Sequence, residues 1–342
     1  MVTEELLVAA RAGDGEAFRA LVEPHRRELQ VHCYRMLGSV QDAEDTVQDT
    51  LLAAWQAFGG YTEERASLRT WLYKIATNRC LNALRSGRRR AAREWDVPKV
   101  EPPEPTRLGE VVWLQPYPDA LLEGAPGAMS GPGAPLGPED RYEQAETISL
   151  AFVTALQLLP PRQVAVLILR DVLGFRASEV AGMLEVTIAS VNSALKRARA
   201  SLRRQLSPGD GEPPPAVGSP SEDAIVARFT RAWESADLDA LVALLTGDIF
   251  IAMPPEPFGY EGRELVARYW ARQFGAGRRF DLVPARANGQ PAFGAYLRVP
   301  AGIRHAAGFY VLTLAGDHIC GMTRFEASVL PWFGLPRSLP GR

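Results

Sequence analysis

Apolar residues recur at spacings of three and four through residues 160–204, PPRQVAVLILRDVLGFRASEVAGMLEVTIASVNSALKRARASLRR. Ile188, Val191, Leu195, Ala198 and Leu202 form one stripe of a helix. Asn192, Ser193, Lys196, Arg197 and Arg199 fall off that stripe, on faces that can meet DNA. A shorter helix, roughly Ala177–Leu184, precedes it across the connection Glu185-Val186-Thr187. Thr187 reads as an N-cap, with Ser190 where a capping box would place Glu or Gln. The pattern predicts a helix-turn-helix whose second helix fits the major groove. A basic amphipathic helix packed on another helix is the plainer alternative.

Residues 1–93 are also helical in pattern and almost free of proline. In SVQDAEDTVQDTLLAAWQAF (39–58), Val47, Leu51 and Ala54 predict a core face, with Leu52, Trp55 and Phe58 adding apolar bulk. Asp42, Glu44, Asp45 and Asp49 suit the positive end of the helix. An acidic face beside a nucleic-acid-binding module avoids DNA, which makes it a candidate protein-docking surface. The next helix, Leu68–Arg90, divides into two faces. Leu68, Leu72, Ile75, Ala76, Cys80, Ala83 and Leu84 are apolar; Lys74, Asn78, Asn82, Arg85 and Arg89 form a polar stripe with Trp71 at its edge. An aromatic ring beside amides and guanidiniums suits unstacked bases and phosphates. Trp71 packing on a neighbouring helix, and the asparagines as ordinary solvated residues, are the structural alternatives.

Residues 94–140 break the helical pattern with ten prolines and six glycines, and carry nine acidic against two basic residues. That balance describes an extended, self-repelling linker, although it contains an apolar island, VVWLQPYPDALL (111–122). Residues 141–206 hold the helix-turn-helix. A second Pro/Gly/Ser linker spans 207–221. The last segment, 222–342, opens with an amphipathic helix and continues with short aromatic and β-branched runs, an α+β pattern.

Composition narrows the class. The chain has 342 residues and a formal net charge of −2, so any DNA binding comes from local patches or with a partner. Cys33, Cys80 and Cys320 are separated in sequence and lack metal spacing; reduced thiols in a cytoplasmic protein are the simplest account. The N-terminal residues do not have the order of a signal peptide, and no apolar run reaches a membrane span. The expectation is no cofactor, no metal and no membrane.

DAEDTVQDTLLAAW and TWLYKIATNRCLNALRSGRRR resemble region 2 of the extracytoplasmic-function (ECF) sigma factors, and LPPRQVAVLILRDVLGF…SVNSALKRARASL resembles region 4. The resemblance implies a multidomain protein with two all-α sigma domains, a region 2 helical bundle (1–93) and a region 4 helix-turn-helix (141–206). It implies core RNA polymerase as partner, through the β′ clamp helices at Asp42, Glu44, Asp45 and Asp49, and through the β flap. Trp71, Lys74, Asn78, Asn82, Arg85 and Arg89 would then meet the melted minus-ten element. Asn192, Ser193, Lys196, Arg197 and Arg199 would meet the minus-thirty-five element of promoter DNA. Loop 59–67 would form a pocket for a flipped base. The 94–140 linker would thread the polymerase channels. Arg176 departs from the family's small capping residue before the first helix of the motif.

Residues 222–342 resemble the SnoaL-like branch of the NTF2-like fold, an α+β cone with an apolar pocket. Trp233, Met253, Tyr269, Trp270, Tyr296, His305 and Phe309 are the candidate lining residues, against the alternative of plain core. A small ligand of this domain, or a separate anti-sigma protein, would be a regulatory partner. Asp248, at a helix end, His305 and His318, in a hairpin turn, are the acid–base candidates, but no pair at catalytic spacing is visible. The aromatic tail with Phe325, Trp332 and Phe333 could clamp another domain. The resulting reading is a non-enzymatic, promoter-specific initiation factor. A ligand-responsive repressor would leave the Trp71–Asn82 stripe unexplained, and an enzyme would need His305 or Asp248.

Overall fold

The computed structural model describes residues 2–86, 103–108, 113–122, 147–205, 212–256, 258–299 and 302–340. They gather into two compact units. One draws on residues 1–89, 120–147 and 151–207, the other on 90–119, 148–150 and 208–342.

The first unit is helical: α1 (Val2–Arg11), α2 (Gly15–Leu37), α3 (Val40–Ala57), α4 (Leu68–Arg85), α5 (Leu150–Gln157), α6 (Pro161–Leu167), α7 (Ala177–Leu184) and α8 (Ile188–Gln205). Short polar residues start the helices. Asp14 accepts from the N–H groups of Glu16 and Ala17, Ser39 from Asp42 and Ser67 from Thr70. Gly38, at φ 68°, ends α2 in the left-handed conformation.

The buried face of α4 is Leu72, Tyr73, Ala76, Thr77, Cys80 and Leu81, while Ala83 and Leu84 are exposed. This face is rotated from the expected one because α2, α3 and α7 all pack against the helix. On α3, Leu52 is 56% exposed and Ala43, Thr46 and Thr50 complete the core face. Cys33 and Cys80 are both fully buried, and the Cys33 side chain hydrogen-bonds that of Cys80.

The second unit is a curved sheet of strands β1 (Arg107–Leu108), β2 (Leu245–Ala252), β3 (Phe258–Glu261), β4 (Phe280–Ala287), β5 (Gln290–Leu297), β6 (Arg304–Ala315), β7 (His318–Phe325) and β8 (Ser338–Leu339). The order is β1-β3-β2-β7-β6-β5-β4, with β8 paired to β6. Among the described residues only the β2–β7 pair is parallel. Three helices, α9 (Pro220–Ser235), α10 (Leu238–Ala243) and α11 (Arg263–Gly275), supply Phe229, Trp233, Leu241, Trp270 and Phe274 to the core of this unit. A 3-10 helix, Ala327–Phe333, packs on the other face, where Phe333 stacks on Phe309 at 4.1 Å. The aromatic tail therefore closes over its own sheet. Asp248, expected at a helix end, lies inside β2.

Buried groups make the first unit acid-sensitive. His32 is fully buried and shares a 2.9 Å hydrogen bond with Thr77. Burial, then the positive charges of Arg35 and Arg69, hold its pKa down to about 3. Below its ordinary pKa of 6.5 the unfolded imidazole binds a proton that the folded one refuses. The contribution of His32 is therefore present above pH 6.5 and falls as pH drops toward 3, by up to about 1.4 kcal/mol per pH unit. Urea denaturation at pH 7, 6 and 5 should show that decline, and His32→Gln should flatten its slope.

Candidate functional site

The helix-turn-helix is built by its caps. Glu185, at φ 55°, ends α7, and Thr187 Oγ1 accepts from Ser190 N–H at 3.2 Å to start α8. At the start of α7 the backbone N–H of Arg176 donates to Glu179 Oε2 at 2.8 Å, so Glu179 supplies a capping contact despite the arginine. Val191, Leu195 and Ala198 are buried, whereas Ile188 is 49% exposed at the first position of the helix. Asn192, Ser193, Lys196 and Arg197 are exposed. Arg199 differs from them, because its Nε and Nη2 each donate to Asp171 at 2.7 Å.

On α4 the stripe divides. Trp71 is half-buried, its ring 4.9 Å from Tyr61 and 6.0 Å from Phe58. Tyr61 is buried and its hydroxyl donates to the Ala66 carbonyl, so it fills loop 59–67. Lys74 donates to Glu185 at 3.2 Å, Asn78 to the Met183 carbonyl at 3.5 Å, and Thr70 to Glu179 at 3.4 Å. The middle of the stripe thus meets α7 and its C-cap. Asn82 and Arg85 remain exposed, 3.2 Å apart, and Arg89 lies outside the described residues.

These polar contacts are too solvent-exposed to hold much energy. The stronger contact lies beneath them, where Tyr73 meets Phe175 edge-on at 5.2 Å. The Arg69 guanidinium lies within 4.9 Å of both ring centroids. Arg69 and the Tyr73 hydroxyl both donate to the buried Glu28 carboxylate. Burial pushes the Glu28 pKa up, but its bonds to His25 and Arg69 outweigh that and hold it below the ordinary value. On α3, Glu44, Asp45 and Asp49 are exposed and Asp42 is half-buried in the first turn.

In the second unit the candidate lining residues separate. Trp233, Met253, Tyr269 and Trp270 share one buried cluster. Tyr296 and Phe309 do not, because successive strand residues point to opposite faces. Their neighbours Ala295 and Tyr310 take the cluster side. Tyr296 donates instead to the Pro336 carbonyl of the tail. His305 is exposed and pairs with Ser338 of β8. His318, at the opposite end of β6, sits beside Asp317, and Asp248 is exposed on β2. The acid–base candidates are not assembled into one site.

The apolar island lies within the 94–140 segment, and its residues 113–119 are part of the second unit. Leu114, Gln115 and Tyr117 are buried, and β1 extends the sheet against β3. The two-residue turn Asn288-Gly289, with φ of 58° and 71°, receives the segment. Asn288 Oδ1 accepts from Tyr117 N–H at 2.7 Å, and the Tyr117 carbonyl accepts from Asn288 N–H at 2.8 Å. Asp119 accepts from Gly289 N–H and from Arg286. The same turn also holds the residues that lead into α5: Asn288 Nδ2 donates to the Ile148 carbonyl at 2.7 Å, and Gln290 accepts from Leu150 N–H. The sequence signal was the apolar island itself.

Two helical DNA-facing surfaces, an acidic helix and an appended α+β cone define a bacterial transcription initiation factor, and comparison with known proteins identifies the family. Sigma-70 region 2 matches residues 21–90, Sigma-70 region 4 matches 149–202, and a SnoaL-like domain matches 226–321. The chain is 41% identical over 336 residues to the ECF RNA polymerase sigma factor SigG of Mycobacterium tuberculosis, covering 96% of this chain and 86% of that one. It is 32% identical over 202 residues to SigM of the same organism, covering 59% and 83%. The crystal structure of M. tuberculosis SigJ, an extracytoplasmic function sigma factor, superposes with a TM-score of 0.60 at 21% identity, covering 91% of this chain and 97% of that one. The chain belongs to the ECF RNA polymerase sigma factors, and its role is to direct transcription initiation with core RNA polymerase at promoter DNA. Among the described residues no helix is long and apolar enough to cross a membrane.

If the Tyr73–Phe175 contact holds α7 over the α4 stripe, Phe175→Ala should cost about 3 kcal/mol of local stability. Hydrogen exchange should then rise at α4 and α7 together. Unchanged protection of α4 would mean that the exposed ion pairs suffice.

Proposed function

We propose that the chain reads promoters with two surfaces and is restrained in cis by its C-terminal domain. The observation that carries the first part is the arrangement of α8, where Val191, Leu195 and Ala198 are buried while Asn192, Ser193, Lys196 and Arg197 face solvent. These four read the minus-thirty-five element in the major groove. Trp71, Lys74, Asn78, Asn82, Arg85 and Arg89 meet the melted minus-ten strand. Arg199 acts mainly by tethering α8 to Asp171.

Asp45 and Asp49, with Asp42, Glu44 and the exposed Leu52, dock on the polymerase β′ clamp helices. Region 4 meets the β flap. The protein is a non-enzymatic regulator and works in the cytoplasm with the polymerase. The domains run as 1–93, 141–206 and 222–342, separated by the 94–140 and 207–221 segments.

Two observations support restraint. Lys74 and Asn78, needed for the minus-ten strand, are engaged by Glu185 and Met183. The linker between regions 2 and 4 is bonded at Tyr117 and Asp119, and the start of the region 4 segment at Ile148 and Leu150, to the turn 288–290. Core polymerase competes with both contacts.

Run-off transcription with bacterial core polymerase on fragmented genomic DNA tests this reading. The Asp45→Lys/Asp49→Lys chain should lose at least about tenfold in core binding and transcript, a loss of about 1.4 kcal/mol or more. Equal binding would remove α3 as the docking surface. In the otherwise intact chain, Asn288→Ala should raise transcript at limiting polymerase; a fall would make the C-terminal domain an activator.

A further inference from the structure

The core-facing side of the second unit's sheet is apolar or aromatic at nearly every position. Phe280 and Leu282, Phe293 and Ala295, Tyr310, Leu312 and Leu314, Met322, and Ile249 and Ile251 all join one cluster. Arg324 breaks the pattern. It stands two residues beyond Met322 and directly across from Tyr310, so strand alternation places it on the same face. Its side chain is 15% exposed. A guanidinium there needs a partner, because an uncompensated charge in an apolar setting is costly.

The protein compensates it incompletely. Arg324 makes one long hydrogen bond, 3.4 Å, to the Ala307 carbonyl, and a contact with the Tyr310 hydroxyl. Glu256 Oε1 lies 3.8 Å from Nη1, beyond hydrogen-bond reach. Arg278 interacts with Arg324 and with the same two phenols, Tyr310 and Tyr269. Those phenols carry no charge near neutral pH, Arg278 donates to Gln273 Oε1 at 2.7 Å, and Glu256 is the carboxylate set against Arg324. Close by, Trp233 lies 5.4 Å from the Tyr310 ring and 5.6 Å from Trp270. Both indole N–H groups are buried with no acceptor among the described residues.

We infer that the interior around Arg324 binds a small organic monoacid, an apolar or aromatic body bearing one carboxylate. The guanidinium of Arg324 pairs with the carboxylate in a two-bond fork. The Trp233 and Trp270 rings, and the Tyr260–Tyr269 pair stacked at 5.1 Å, receive the apolar body. A bare inorganic anion fits poorly, because such walls do not replace its water. One charge suffices, because a single carboxylate matches the single guanidinium of Arg324. The assignment stands on the cone alone and does not depend on the restraint proposed above.

Thermal melts and calorimetric titration of the full chain with benzoate, phenylacetate and octanoate, each against its uncharged amide, test it. At least one acid should raise the melting temperature in a concentration-dependent way, and its amide should not. Arg324→Met should weaken that acid at least about tenfold, and Glu256→Gln, which removes the competing carboxylate, should tighten it several-fold. The unliganded Arg324→Met chain should melt no lower than the native chain, since it loses a charge kept for a ligand. Melting unmoved by all three acids, moved equally by the amides, or moved equally in the Arg324→Met chain overturns the inference. So does a Glu256→Gln chain that melts lower and binds no tighter, which would make the Arg324–Glu256 pair structural.

Discussion

One side chain closes the loop between the two DNA-reading modules. Asn288 is fully buried at the tip of the β4–β5 hairpin, in a left-handed conformation that asparagine tolerates better than most residues. Its amide is spent on two backbone groups far apart in sequence, the N–H of Tyr117 and the carbonyl of Ile148. The chain therefore leaves and returns to the same residue. Closing such a loop costs entropy that grows only slowly with its length, so a few buried hydrogen bonds can hold it. On the proposed reading, these bonds are what a polymerase-bound state exchanges for its own contacts.

The energetic scale suits a switch. Buried hydrogen bonds contribute about 1 kcal/mol each, and burying Tyr117 and Leu114 adds a few kcal/mol more. Set against the entropy of ordering the segment, gains of that size leave a modest net hold, which is what the proposed restraint requires. Because the cone is part of the same chain, its hold acts at high effective concentration and needs little intrinsic affinity. Region 2 and region 4 add a second, aromatic contact at Tyr73–Phe175. The proposed restraint is thus spread over several weak contacts rather than one strong one.

Much of this was legible in the residues. The stripe Val191–Leu195–Ala198 and the exposed Asn192–Arg197 face follow from helical period alone, and the structure places them accordingly. Local period did not reveal the rotation of the α4 core face or the exposure of Leu52, because both depend on which helices pack from outside. Nor could it separate Tyr296 and Phe309 from Trp233 and Tyr269. That separation is a matter of strand register, where one residue's shift exchanges core for outer face. Reading 111–122 as part of a linker failed for a related reason. The proline content and charge of 94–140 describe an extended chain, but extended chain is also what adds to a sheet edge, as Arg107–Leu108 of the same segment does against β3.

The same register argument links the cone's core to the linker. Tyr260 stacks on Tyr269 at one end, and its hydroxyl donates to the Pro103 carbonyl at the other. Burial, with Glu256 nearby, pushes its pKa up to about 12, so it stays a neutral donor under ordinary conditions. One aromatic wall therefore touches both the core cluster and the segment between the sigma regions. A change in how Tyr269 packs has a short path to Pro103, and from there along the chain to β1. Coupling of this kind needs no large motion, only two packings of one tyrosine pair that differ in their fit to the linker.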